Sequence, residues 1–285
     1  MEITIGKNAG FCYGVKNAVD SAKKDLQIAS EKVYFLGDIV HNQRVIDELK
    51  AQGAEFIEDI NEAGSTVIIR AHGIAKEVYE IAKKKKIVLK DYTCPNVLKI
   101  HKIAEEYANQ GYYILLFGAR KHPENIGTVS YCGDKYFVIE EEEGLYNAID
   151  VLNTWNVKDV LAISQTTFNR DTFYTFQEIL RDELNKDIHL VIQNTICNAT
   201  NIRQKETEEL AQKVDCMIII GGKNSSNTKK LYEIAEDYGK SAICIETKED
   251  IKNIDFSLIH SVGIMAGAST PQSSIDEVRE MLEKM

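Results

Sequence analysis

Short apolar runs alternate with longer amphipathic stretches along nearly the whole chain. The runs at 2–6, 33–36, 66–70, 87–89, 112–117, 136–139, 160–164, 188–192, 217–220, 242–245 and 261–264 read as strands. Several are apolar at every position, the mark of strands covered on both faces. Between them, 15–29, 75–85, 97–109, 171–185, 199–213, 228–238 and 272–283 repeat apolar residues at helical spacing. Strands alternating with helices predict βαβ units and mostly parallel sheets, hence an α/β fold. The rhythm divides into three small α/β modules, 13–95, 96–194 and 195–281, with the segment 1–12 expected to return and complete the third. No Pro/Gly/Ser-rich linker separates them. Literal repetition is weak, so any threefold symmetry belongs to the structure rather than the sequence.

Composition narrows the functional classes. A chain of 285 residues with 44% hydrophobic and 27% charged residues has the balance of a globular protein. Its net charge of −10, from 34 basic and 44 acidic residues, argues against nonspecific nucleic-acid binding. The basic block 83–86 closes a predicted helix, where cations complement the dipole, and the acidic block 140–143 reads as a solvated helix start. The N-terminal residues lack the pattern of a signal peptide, and no apolar run has the length of a membrane span, so a cytoplasmic protein is expected.

Six cysteines in such a chain are expected to stay reduced, and none are spaced as C-x-x-C. Three share one setting, a turn between a strand pattern and a helix pattern. They are Cys12 in Gly10-Phe11-Cys12-Tyr13-Gly14, Cys94 in Asp91-Tyr92-Thr93-Cys94-Pro95 and Cys197 in Asn194-Thr195-Ile196-Cys197-Asn198. A helix N-terminus favours the thiolate, the form that binds metal. Three converging thiolates without a close fourth would suit an iron–sulfur cluster with one open iron. Cys132, Cys216 and Cys244 lie at a helix end or in apolar strands and read as small buried hydrophobes.

Polar residues also gather just after strands: His41-Asn42, His72-Gly73, His122-Pro123-Glu124, Gln165-Thr166-Thr167, Ser225-Ser226-Asn227 and Ser269-Thr270-Pro271. Ligands of parallel α/β sheets bind at the carboxyl ends of strands, so all six groups point to the edge that carries the cysteines. Taken singly, each has a plainer explanation as a helix cap or core histidine. Together they describe a polar pocket suited to an anionic phosphate ligand. Glu124 is the obvious carboxylate of the set and a candidate proton donor. Phosphate-loop, dinucleotide and G-x-S-x-G signatures are absent.

With these segments assembled, the chain resembles the LytB/IspH family. The carrying motifs include Gly10-Phe11-Cys12, Val40-His41-Asn42, Ala71-His72-Gly73, Thr93-Cys94-Pro95, His122-Pro123-Glu124, Ser164-Gln165-Thr166-Thr167, Cys197-Asn198-Ala199-Thr200, Lys223-Asn224-Ser225-Ser226-Asn227 and Ala266-Gly267-Ala268-Ser269. The resemblance implies a pseudo-threefold trefoil of α/β modules around a central [4Fe–4S] cluster. It implies reductive dehydroxylation of (E)-4-hydroxy-3-methylbut-2-enyl diphosphate to isopentenyl and dimethylallyl diphosphates, the last step of the non-mevalonate isoprenoid pathway. By the same resemblance Cys12, Cys94 and Cys197 hold three irons and the fourth iron meets the substrate hydroxyl. His41, His72, His122, Ser225, Ser226, Asn227 and Ser269 match the diphosphate pocket, and Glu124 with Thr166 the proton relay. Electrons are expected from a ferredoxin or flavodoxin, with no nucleic-acid or membrane partner. Tyr13, Lys121 and Asn198 depart from the usual family residues, and none is an expected ligand. Two other readings stay open at this point, a three-cysteine dehydratase or synthase of quinolinate-synthase type and a noncatalytic three-module binding protein.

Overall fold

In the computed structural model, which describes residues 1–155, 157–252 and 254–285, the predicted alternation becomes three parallel sheets. The chain opens with β1 (Glu2–Ile5) and α1 (Tyr13–Ile28), followed by β2 (Val33–Leu36), α2 (Gln43–Ala51), β3 (Glu55–Ile57), β4 (Thr66–Ile69), α3 (Lys76–Lys85) and β5 (Val88–Asp91). Next come α4 (Pro95–Asn109), β6 (Tyr113–Phe117), α5 (Pro123–Val129), β7 (Tyr136–Ile139), α6 (Glu142–Thr154), β8 (Asp159–Ser164), α7 (Arg170–Glu183) and β9 (His189–Ile192). The last stretch holds α8 (Asn198–Ala211), β10 (Cys216–Ile220), α9 (Ser226–Tyr238), β11 (Ala242–Ile245), β12 (Ser261–Ala266) and α10 (Gln272–Leu282).

The strands pair as β3-β2-β4-β5, β7-β6-β8-β9 and β11-β10-β12-β1. One wiring recurs three times. The first strand of each set lies between the second and the third, and the fourth lies outside the third. In the last sheet the fourth place is filled by β1 from the far end of the chain, in register with β12 from Glu2↔Ser261 to Ile5↔Ile264. In the first two sheets the first and third strands are neighbours whose connections leave in opposite directions, which opens a switch point between their carboxyl ends, the usual place for a ligand. In the third, β10 and β12 are neighbours in the same strand order, with β1 taking the fourth place.

Period-two alternation with both faces covered explains the continuously apolar strands. On β6, Leu115 and Phe117 face a core built with Leu145, Ile149 and Leu152 of α6 and Phe173, Phe176 and Leu180 of α7. Ile114 and Leu116 face the opposite core with Ile100 and Ala104 of α4. β10 divides likewise, with Cys216, Ile218 and Ile220 in one core and Met217 and Ile219 in the other.

Contacts gather the chain into two compact units. One comprises Met1–Gln27, Asp38–Ala54 and Asn198–Met285, and the other Ile28–Gly37 and Glu55–Cys197. The first holds the β11-β10-β12-β1 sheet and also α2, although α2 lies between β2 and β3 in the chain. Its Glu48 pairs with Lys23 of α1 at 3.0 Å and its Arg44 with Glu277 of α10 at 3.0 Å. The second unit holds the other two sheets. The apolar run after Val33 ends as a strand at Leu36, since Gly37 turns the chain at φ +68°. Among the described residues, no helix is long and apolar enough to cross a membrane.

Candidate functional site

The three cysteines hold equivalent positions in the three sheets. Cys12 follows β1, Cys94 follows β5 and Cys197 follows β9, in each case the fourth strand, and each immediately precedes a helix. Each donates its N–H to a carbonyl at the same point after the third strand. Cys12 reaches Ala268 O at 3.2 Å, Cys94 reaches Ala71 O at 3.0 Å and Cys197 reaches Thr166 O at 3.0 Å. The Cys12 sulfur also accepts the Val15 N–H of the first turn of α1 at 3.5 Å. All three are partly exposed, whereas Cys132 and Cys216 are buried. Burial pushes the Cys132 thiol up to about 12 and also raises Cys216. A partly exposed thiol at a helix N-terminus is of the kind that can ligate a soft metal as thiolate, and a buried one in apolar surroundings is not. Cys244, expected to be buried, is exposed. It lies on β11, an edge strand, where an apolar sequence need not be covered on both faces.

In the second unit, the switch point of the β7-β6-β8-β9 sheet carries Glu124 and Thr166. Pro123 starts α5 with its φ already set, and the His122 side chain caps it, Nδ1 accepting the Glu124 N–H at 3.2 Å. That bond leaves Nε2 as the protonated nitrogen of a neutral ring. Glu124 is 2% exposed. Its Oε1 accepts the Thr166 N–H and its Oε2 the Thr166 hydroxyl, both at 2.6 Å. Thr166 O in turn accepts the Cys197 N–H, so hydrogen bonds link the acid to a cysteine turn. Burial pushes the Glu124 carboxyl up to about 7, against the opposing pull of both Thr166 bonds.

The two loops at this switch point are locked together by Asn125, whose Nδ2 donates to Gln165 Oε1 at 2.8 Å and to Ala119 O at 2.9 Å. Gly118 makes this possible, because a Cβ there would lie 2.4 Å from Asn125 Nδ2. Asn125 was not visible as a site residue in sequence, where its neighbours His122 and Glu124 carry the signal. His72, after β4, sets its ring edge-on to His122 with centroids 5.4 Å apart. Behind it, Gly73 turns at φ +76° against His101, which is buried, stacked on Tyr131 at 4.3 Å and depressed by burial to about 4.

In the first unit, the switch point between β10 and β12 carries Ser225, Ser226, Asn227 and Ser269. Ser225 caps α9, its Oγ accepting the Thr228 N–H at 3.3 Å. Asn227 is 4% exposed, and neither atom of its amide has a protein partner. A buried amide left so is costly unless a ligand or water completes it. The docking of α2 brings His41 to this loop. His41 O accepts the Ser269 hydroxyl at 3.2 Å and lies where a Cβ on Gly222 would be 2.5 Å away. Glu246 braces the same loop from outside, accepting the Lys223 N–H at 2.8 Å. The first unit therefore gathers Cys12, His41 and the Ser/Asn set, and the second gathers Cys94, Cys197, His72, His122, Glu124 and Thr166.

Comparison with known proteins agrees over the whole length. The family model for LytB protein matches residues 3–283. A 4-hydroxy-3-methylbut-2-enyl diphosphate reductase of Clostridioides difficile (strain 630) is 38% identical over 287 residues, covering 100% of both chains. A solved structure of (E)-4-hydroxy-3-methyl-but-2-enyl diphosphate reductase, the terminal enzyme of the non-mevalonate pathway, is 38% identical with a TM-score of 0.70, covering 100% of both chains. The Plasmodium falciparum E-1-hydroxy-2-methyl-but-2-enyl-4-diphosphate reductase is 31% identical with a TM-score of 0.89, over 99% of this chain and 87% of that one. The chain belongs to the LytB family.

Proposed function

We propose that this chain is a 4-hydroxy-3-methylbut-2-enyl diphosphate reductase, converting (E)-4-hydroxy-3-methylbut-2-enyl diphosphate to isopentenyl and dimethylallyl diphosphates. The reaction consumes two electrons and two protons and releases water. Family membership over residues 3–283 supports the activity. The observation that carries the chemistry is Glu124, a buried carboxyl raised to about 7 and held by Thr166 at a sheet switch point.

Cys12, Cys94 and Cys197 are the proposed ligands of a [4Fe–4S] cluster, whose chemistry is to deliver electrons one at a time and to offer an open iron as Lewis acid. The remaining roles belong to side chains. His41, His72, His122, Ser225, Ser226, Asn227 and Ser269 bind the diphosphate. Hydroxyl, amide and imidazole donors at helix starts suit its negative charge. The unfilled Asn227 amide supports this assignment, and so does the His122 tautomer, with its ring proton on Nε2. Glu124 holds a proton on one carboxyl oxygen and passes it, with Thr166 Oγ1 orienting it, to the departing hydroxyl. A carboxyl titrating near neutrality can both hold that proton and release it. Electrons come from a small one-electron carrier of ferredoxin or flavodoxin type.

The test is an anaerobic assay of the iron- and sulfide-loaded protein with reduced viologen and the hydroxylated diphosphate. Formation of both isoprenoid diphosphates is the expected result. Viologen oxidation without either product, or none at all in a fully loaded protein, would overturn the assignment.

A further inference from the structure

One buried charge is left over by this chemistry. Arg203 of α8 is 4% exposed, beside buried Thr200, Gln204 and Thr207, so the inward face of this helix is unusually polar. The repeated wiring supplies an internal control. Counting the same distance past each cysteine reaches Ala18 on α1, Ile100 on α4 and Arg203 on α8, all buried. Two apolar residues satisfy the fold at this position, so the third sheet does not need an arginine for packing alone. A buried guanidinium is costly unless it is well used.

Its contacts show the use. Arg203 Nη2 donates to Gly10 O at 2.7 Å and Nη1 to Ala199 O at 3.1 Å. One turn further along α8, Glu206 accepts the N–H of Lys7 at 2.5 Å and the N–H of Asn8 at 3.0 Å, and its Oε2 also takes the Asn8 side-chain Nδ2 at 2.9 Å. A cation on a carbonyl and an anion on two N–H groups grip opposite polarities of the same short segment. That segment, 6–11, is the longest of the three between fourth strand and cysteine, the others being 92–93 and 193–196. It contains Gly10 at φ +94°, two residues before Cys12. A longer irregular segment has more freedom to lose, so it needs outside restraint to hold a ligand in place.

We infer that Arg203 and Glu206 form a clamp on α8 that positions the Cys12 turn for its metal-ligand role. They are positioning residues, acting through Cys12. The inference rests on the cluster reading of Cys12.

The experiment uses the full chain loaded anaerobically, and compares the parent with Arg203→Met, Arg203→Lys and Glu206→Ala. It measures iron release to a chelator and amide hydrogen exchange over 6–12. Loss of a charge-assisted bond should speed iron release by about tenfold in Arg203→Met and Glu206→Ala. Exchange should rise in 6–12 while β10 and β12 keep their protection, and Arg203→Lys should recover part of both effects. If Arg203→Met fails to fold, Glu206→Ala, at a half-buried position, carries the test. Unchanged iron release in the variants, or faster exchange spread evenly over α8 and the sheet, overturns the clamp. A parent chain that takes up no iron and sulfide sinks the reductase reading itself, whereas a stable parent cluster with unaltered variants overturns only the clamp.

Discussion

At the scale of single residues, Glu124 shows how burial sets chemistry. Its carboxyl titrates near 7 rather than 4.5, so the folded protein binds a proton that the unfolded chain has lost between these values. The sign follows: the native state loses stability as pH rises from about 4.5 through 7, by on the order of 3 kcal/mol in total. Glu124→Gln removes the titration, so its stability relative to the parent should climb over that window and level off above it. Denaturant unfolding at several pH values checks this, and a constant difference would contradict the burial argument. Glu124 was legible because His122-Pro123 beside it spells a helix start. Arg203 and Glu206 were not, since a buried charge and an exposed one look alike on an amphipathic helix. Cys244 shows the opposite error, for an apolar strand sequence does not reveal that the strand sits at an edge.

At the scale of elements, cysteine turns and strand-end loops were readable because their signals are short and local. Long helices such as α4 and α7 were readable from periodicity. β3, with three residues, and α5, with seven, offer too few positions for any period to register. α2 is amphipathic, but its sequence does not say that it leaves its neighbouring strands to dock on α1 and α10, and that docking is what delivers His41. Two predictions belong here. Cys197→Ser should leave a labile or incomplete cluster, while Cys244→Ser should match the parent in iron and sulfide content. Equal loss in both would refute the distinction between turn and strand cysteines. Gly222→Ala should push the loop off His41 O, where a Cβ has only 2.5 Å. It should raise KM for the diphosphate more than it lowers kcat, as steady-state kinetics would show, because the role proposed for this loop is to hold the diphosphate, which does not react.

At the scale of the whole molecule, the apolar–polar rhythm was enough to indicate α/β architecture and parallel sheets, since continuously apolar strands demand cover on both faces. The repeated strand order was not readable, because it resides in hydrogen bonds between strands distant in sequence, β1 with β12 above all. We propose that each four-stranded sheet marks one of the modules 13–95, 96–194 and 195–281. The recurring bond from cysteine N–H to the loop after the third strand supports that division. The same wiring couples the proposed acid Glu124 to the Cys197 turn through Thr166. The most direct measurement is turnover of Glu124→Gln beside the parent, both loaded with iron and sulfide and reduced by viologen under anaerobic conditions. Glu124→Gln should keep an intact cluster while turnover falls by about a hundredfold or more. Undiminished formation of isopentenyl and dimethylallyl diphosphates by Glu124→Gln would contradict it.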